Sequence, residues 1–438
     1  MRTLSSLAGP SSPPLFNMLE FGLAPTRFAT RHARTFGRSY SVPALGASFL
    51  FTADPAHVKR IFSADSSTFL SFSAFSLRNI FGPRSVLLTS GPTHARQRKL
   101  LAPPLTGPRL RAFGTTMQQI ANEHVSALRA GQTFRAVDLT TDFTLDVIVR
   151  TVFGVENPAA AHELKQLLGE IVHSVPPIAI FVPRLQQRWF PPWARYQRLR
   201  ARFNQWVHAQ IAQRRREPLR RDDVLSLLLE ARYDDGSEIG SDEICDQLVT
   251  LLLAGHETTA LALATSLGRL HQHPESLAKL KAELGAQTTP EEAQRLPYLA
   301  AVIDETLRID PIVTDVARVP TGLFHVEDDL VLTPKDVVIV LIEALHRDPL
   351  IYPEPERFWP ERFLERRYAP FEYLPFGGGV RRCLGAAFSD YETKIFLATL
   401  LRRTELACVR PGPEPRVRRN ITMGPKFGVP LKVVSVSG

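Results

Sequence analysis

Phe376-Gly377-Gly378-Gly379-Val380-Arg381-Arg382-Cys383-Leu384-Gly385 is the stretch on which the reading of this chain turns. Three consecutive glycines free the backbone for conformations and close approaches that a Cβ forbids. A cysteine beside two arginines sits where positive charge favours the thiolate. Leu384, Phe388, Tyr391, Ile395 and Leu400 follow at near-helical spacing and read as one buried helix. Cys383 then lies close to the positive N-terminal end of that helix, which favours the thiolate further. The plainer reading is a glycine-rich turn before a core helix, with an ordinary buried cysteine.

Upstream, residues 242–272 form the strongest helical pattern in the chain. Ser241 suits an N-cap, Asp242 and Glu243 suit the first turn, and Pro274 stops the run. Such a helix is roughly 45 Å long, enough to cross the molecule. It is apolar almost all round at 248–253 and 260–264, so it belongs in a core. Its centre is broken by Gly255, His256, Glu257, Thr258 and Thr259, a costly place for polar groups unless they are paired or used. Glu257 can hold a proton and the Thr258 hydroxyl can donate or accept one. The plainer reading is a polar kink in which Thr258 bonds back to the Ala254 carbonyl.

Both stretches resemble motifs of the cytochrome P450 superfamily. The cysteine loop meets every fixed position of F-x-x-G-x-R-x-C-x-G, and residues 254–259 match [AG]-G-x-[DE]-T-[TS]. Glu305 and Arg308 match the family's E-x-x-R, three apart on one helix face, and residues 360–363 match its P-E-R-F, which brings in Arg362. The resemblance implies a mainly α fold with small β-sheets, in which haem lies between a long central helix and the cysteine loop. It implies one domain over residues 1–438 and haem b as cofactor. Cys383 would be the thiolate ligand of the iron, favouring O–O cleavage. Phe376 and Gly385 would frame it, and Ala254 would lie against the haem. His94, Arg98, Arg318 and Arg381 match the partners of the two propionates, and arginine suits planar carboxylates. Glu257 and Thr258 would serve oxygen activation as proton carriers, with His256 turned away. Glu305, Arg308 and Arg362 would be structural.

The implied activity is insertion of one atom of O₂ into an apolar substrate, a terpenoid, steroid-like molecule or fatty acid. Two electrons would come from separate proteins, ferredoxin and ferredoxin reductase. A peroxide-using enzyme of the same fold is the first alternative; such relatives commonly lack the acid–threonine pair, which is intact here. A non-enzymatic haem sensor is the second. The substrate pocket would include Phe72, Phe75, Leu77, Ile312, Val313 and Thr314, with a lid at 175–181. Asp336 stands where the family's turn usually has glycine, a local difference only.

Composition fits this picture. The 438 residues hold only three cysteines, Cys245, Cys383 and Cys408, which argues against a disulfide framework and for a reducing, cytoplasmic setting. No signal peptide or transmembrane anchor is expected. Residues 66–90 carry few periodic cues and read as an irregular loop. The net charge of +9 suits an acidic partner. Arg96, Lys99 and Arg382 are the candidate exposed contacts for a ferredoxin behind Cys383. Arg214, Arg215 and Arg216 precede Asp222 and Asp223 and read as a solvated helix end, so no nucleic acid is expected as a partner.

Overall fold

A computed structural model describes residues 2–44, 46–71, 74–217, 221–285 and 288–437. Helices dominate, with small sheets at the periphery. The largest sheet orders its strands Ser39–Ala44, Ala47–Thr52, Asp336–Leu341, Asp315–Pro320 and Phe69–Ser71. All its pairs are antiparallel except Ala47–Thr52 with Asp336–Leu341, where Ser48 lies opposite Asp336 and Thr52 opposite Val340. The β-branched run at 337–340 is buried throughout, as a central strand requires. Asp336 is more than a tolerated departure. Its carboxylate accepts from the Thr333 N–H and hydroxyl, closing the turn that a glycine would otherwise permit.

Two hydrophobic cores result. One is built by the helices, the other by the large sheet with helix Pro55–Ser63. The helical core is threaded by Ser241–Gln272, the expected central helix. Its N-cap is Gly240 rather than Ser241, a one-residue shift of a boundary that propensity does not fix. Among the described residues this is the one helix long and apolar enough to cross a membrane, yet 61% of its most apolar window is buried inside the protein. The segment expected to be irregular carries strand Phe69–Ser71 and helix Ala74–Phe81, because sheet pairing to 318–320 orders residues whose local pattern is weak. Phe72 and the side chain of Phe75 lie outside the described residues, and Leu77 is buried core.

The cysteine loop lies at the seam between the cores. Leu374 belongs to the sheet core, whereas Phe376 and Leu384 pack on the helical one. Gly377 and Gly379 adopt positive φ, 65° and 63°. A Cβ on Gly379 would meet the Phe62 carbonyl oxygen at 1.6 Å, so the glycine there serves a backbone contact with helix Pro55–Ser63. Leading into the loop is a buried ionic cluster. Glu305 accepts two bonds from Arg308, Nε at 2.6 Å and Nη2 at 2.8 Å, one from Arg362 Nε at 3.2 Å and one from the Trp359 N–H at 2.8 Å. Glu305 and Arg308 are fully inaccessible, and Arg362 nearly so.

Removing one member of a buried ion cluster leaves the others uncompensated, at a cost of about 3–5 kcal/mol. Glu305→Gln is therefore expected to lower the unfolding free energy by about that amount in a urea titration. A loss under about 1 kcal/mol would show that the cluster is not what holds this seam.

Candidate functional site

The central helix and helix Ala386–Arg403 touch where Thr259 Oγ1 donates to Ser389 Oγ at 3.1 Å. From that contact the two segments diverge. One turn back along the central helix, Ala254 and Gly255 are exposed in the middle of an otherwise buried element. Beyond the start of the other helix, Cys383 is exposed as well. We read these two exposed stretches, which flank the Thr259–Ser389 contact, as the walls of a cleft. Nothing stands within 4 Å of a Cβ built on Gly255, so the helix is bare there.

Cys383 is held by its own N–H, which donates to the Phe376 carbonyl at 2.9 Å. Its sulfur accepts from the Gly385 backbone and lies near Arg382 and Arg98. The thiol opens to the cleft but is otherwise walled in by protein. That burial raises its pKa, and the Gly385 amide and the two arginines only oppose the rise. The Gly385 amide, Arg382 and Arg98 thus favour the thiolate, and burial opposes them.

Cations converge on the same cleft. His94 and Arg98 come from helix Gly91–Leu101, Arg318 from strand Asp315–Pro320, and Arg381 from the cysteine loop. Burial is the main cause lowering the pKa of each. Mutual repulsion adds to it: Arg381, Arg98 and Arg318 act on His94, Arg381 on Arg318, and Arg98 on Arg381. His94 falls to about 4 and Arg318 to about 10. Arg318 spends its one hydrogen bond on the Ala317 carbonyl, and Arg381 Nη2 donates to Thr89 O at 2.7 Å while its Nε has no partner. No salt bridge forms to any of the three arginines among the described residues. Half-buried guanidiniums without carboxylates fit an anionic group with two acidic arms, such as the propionates of haem.

On the central helix, Thr258 Oγ1 donates to Ala254 O at 2.8 Å, the back-bonded geometry of the plainer reading, which leaves its oxygen as an acceptor. Burial raises the Glu257 pKa, opposed by Arg419, by Thr422, whose hydroxyl lies 3.4 Å from Oε1, and by His173. Arg419 and Thr422 belong to the hairpin Arg416–Arg419/Thr422–Pro425; no sequence signal marked it as a neighbour of Glu257. His256 is buried with both ring nitrogens unpartnered.

Sequence reasoning also missed His346. Arg308 Nη1 donates to the His346 carbonyl at 2.8 Å, and the His346 Nε2 accepts the Leu374 N–H at 2.8 Å. Leu374 is two residues before Phe376. A single buried imidazole thus joins the Glu305 cluster to the cysteine loop. On helix Gly91–Leu101, Arg96 and Lys99 are exposed but not free. Arg96 pairs with Asp235 at 3.0 Å and stacks on Tyr233, and Lys99 pairs with Asp234 at 2.6 Å. Arg382 has no ion pair among the described residues.

The family model for Cytochrome P450 matches residues 8–429. Cytochrome P450 135B1 of Mycobacterium tuberculosis is 33% identical over 99% of this chain and 93% of its own length. Cytochrome P450 135A1 of the same organism is 34% identical over 92% of this chain and 89% of its own. Among solved structures, retinoic acid bound cyanobacterial CYP120A1 superposes with a TM-score of 0.85 at 25% identity, covering 96% of each chain.

His256 supplies a pH test. Burial, with like charge from His173, lowers its pKa from 6.5 to about 4. As pH falls from 6.5 toward 4 the unfolded chain binds a proton there and the native chain does not, so stability is lost in that window by about 1.4 kcal/mol per pH unit. His256→Leu removes the term. Between pH 6.5 and 5 the variant should lose about 2 kcal/mol less than wild type in urea unfolding. Parallel curves would mean that His256 is protonated in the native protein.

Proposed function

The chain belongs to the cytochrome P450 family and is a haem-b monooxygenase, and from that premise we propose that residues 1–438 act as one domain and that Cys383 would supply the thiolate that holds the iron. When bound, the haem supplies the redox chemistry that reduces O₂ and inserts one oxygen atom into a substrate C–H or C=C bond. What supports the site assignment is that Cys383 and the backbone at 254–255 are both exposed on segments that meet at Thr259 and Ser389, with Arg98 and Arg382 near the sulfur. Arg98, Arg318, Arg381 and neutral His94 would hold the propionates, and Phe376 O and the Gly385 amide would fix Cys383 on its loop. Glu257, whose carboxyl is made a weaker acid by burial, would hold a proton at Oε1 near Thr422. Thr258 Oγ1 would pass protons into the cleft after giving up its bond to Ala254 O.

The substrate we propose is apolar and terpenoid, steroid-like or a fatty acid. The retinoic acid held by the cyanobacterial neighbour supports that class. Ile312 and Thr314 are both buried, beside the strand that carries Arg318. Electrons would come from a ferredoxin, in the cytoplasm, docking behind Cys383. Of the three candidate contacts, Arg382 is the one whose charge is unspent.

Cys383→Ser should retain haem but lose the strongly red-shifted Soret band of the reduced, CO-bound protein. Persistence of that band in a haem-loaded variant would overturn the ligand assignment. Arg382→Glu should slow reduction by an acidic ferredoxin at low salt and flatten its salt dependence, while Arg96→Gln should change it less, because Asp235 already offsets that charge. Stopped-flow reduction across a salt series reads both, and an Arg96 effect larger than the Arg382 effect would move the docking site.

A further inference from the structure

The hairpin Arg416–Arg419/Thr422–Pro425 carries three arginines, and they leave it on two faces. Side chains alternate along a strand, so Arg416 and Arg418 share one face and Val417 and Arg419 the other. Arg416 pairs with Glu343 at 3.0 Å, and Arg418 Nη1 donates to the Gly22 carbonyl at 3.1 Å. The second face, where Arg419 lies opposite Thr422 and Val417 opposite Gly424, is turned toward the central helix. There the Thr422 hydroxyl lies 3.4 Å from Glu257 Oε1. A Cβ built on Gly424 would meet Leu261 Cδ2 at 2.7 Å and Arg419 Cδ and Nε at 3.3 Å. The glycine thus leaves the arginine stem its place between hairpin and helix.

Arg419 is half-buried, yet its charge is unspent. Its Nη2 donates to the Pro425 carbonyl at 3.2 Å, and this is the one hydrogen bond of the guanidinium among the described residues. No salt bridge reaches it among those residues. Glu257 is the nearby acid. Burial raises the Glu257 pKa, and Arg419 is the foremost of the groups that oppose the rise, but the two form no ion pair.

The hairpin is also fastened to the other side of the candidate pocket. The Met423 N–H donates to the Ile312 carbonyl at 2.8 Å, and Arg416 donates to the Pro311 carbonyl. It therefore ties the central helix to the stretch that leads into the strand bearing Arg318. Glu257 stands one helical turn from Ala254, which is exposed on the cleft wall. The unspent part of the Arg419 fork belongs to the same edge of the cleft, beside Glu257 and against Leu261.

A guanidinium fork matches a carboxylate with two parallel N–H···O bonds. We propose that Arg419 receives the carboxylate of the substrate, so that the apolar molecule taken by this site is a carboxylic acid rather than a hydrocarbon, alcohol or ester. This rests on the cleft being the site of a monooxygenase for apolar molecules. A role as counter-ion to Glu257 alone would account for the nearness of the two groups, but not for a fork whose other N–H groups have no acceptor. An acid on a partner protein fits less well, since Arg419 is folded against the central helix.

The haem-loaded protein is titrated with dodecanoic acid and its methyl ester, and with cholanic acid and its methyl ester, at neutral pH. The shift of the Soret band as substrate displaces water reads the affinity. At least one acid should bind on the order of 10–100-fold more tightly than its ester, the range expected for hydrogen bonds to a charged group. Arg419→Leu should weaken the acid by that factor and leave the ester unchanged, and Arg419→Lys should keep part of the preference. Both variants should keep the wild-type CO spectrum as a sign of correct folding. Acid and ester binding alike in wild type, no shift with either acid, or a preference that survives in Arg419→Leu would each overturn the proposal. So would equal weakening of acid and ester in Arg419→Leu, which would make Arg419 a positioning residue for Glu257. The red-shifted CO band of wild type tests the thiolate reading separately: that band without a preference for the acid overturns this proposal alone.

Discussion

A carboxylate with no access to water is tolerable only if its charge is met on every side, and Glu305 is met by two guanidiniums and a backbone amide. Burying such a cluster gains little stability over apolar packing, but a wrong arrangement of it is very costly. It therefore acts as a geometric constraint. Helix Pro297–Ile309 supplies Glu305 and Arg308, and the irregular chain after it must return to supply Arg362 and the Trp359 N–H. From Arg308 the constraint passes through the His346 carbonyl and ring to Leu374, and so to the loop that presents Cys383. His346 stays neutral in this position, its pKa pushed down to about 3 by burial and by Arg308, so Nε2 remains an acceptor for the Leu374 amide.

The site itself is assembled from three directions. The helix bearing His94 and Arg98, the strand bearing Arg318 and the loop bearing Arg381 are far apart in sequence and come from different layers. The loop can join the two cores only because Gly379 lets its backbone press against Phe62. The central helix contributes by what it lacks, a side chain at Gly255, and by its grip on the cysteine helix through Thr259 and Ser389.

Much of this was legible beforehand because it is local. The central helix declares itself by composition and length, the loop by its glycines and cysteine, and the ionic cluster by the three-residue spacing of Glu305 and Arg308. What escaped depends on tertiary placement. No local cue says that Asp234 and Asp235 reach back to Lys99 and Arg96, or that a C-terminal hairpin closes on Glu257. Phe69–Ser71 becomes a strand only by pairing with residues 318–320, a choice made by a partner some 250 residues away. Net charge gives no site for a related reason: a sum over the chain carries no position, and residues 66–122 and 171–216 both run without an acid, holding seven and nine lysines or arginines.

The clustered cations also bear on how long the protein lasts in a cell. Like charges half-buried together oppose the closed arrangement of the walls that carry them, and an anion that binds the native chain but not the unfolded one relieves that opposition. The fraction of chains unfolded at any moment, and with it exposure to proteases, then depends on the supply of the prosthetic group as well as on the sequence. A shortage of haem would act on this protein first through its abundance.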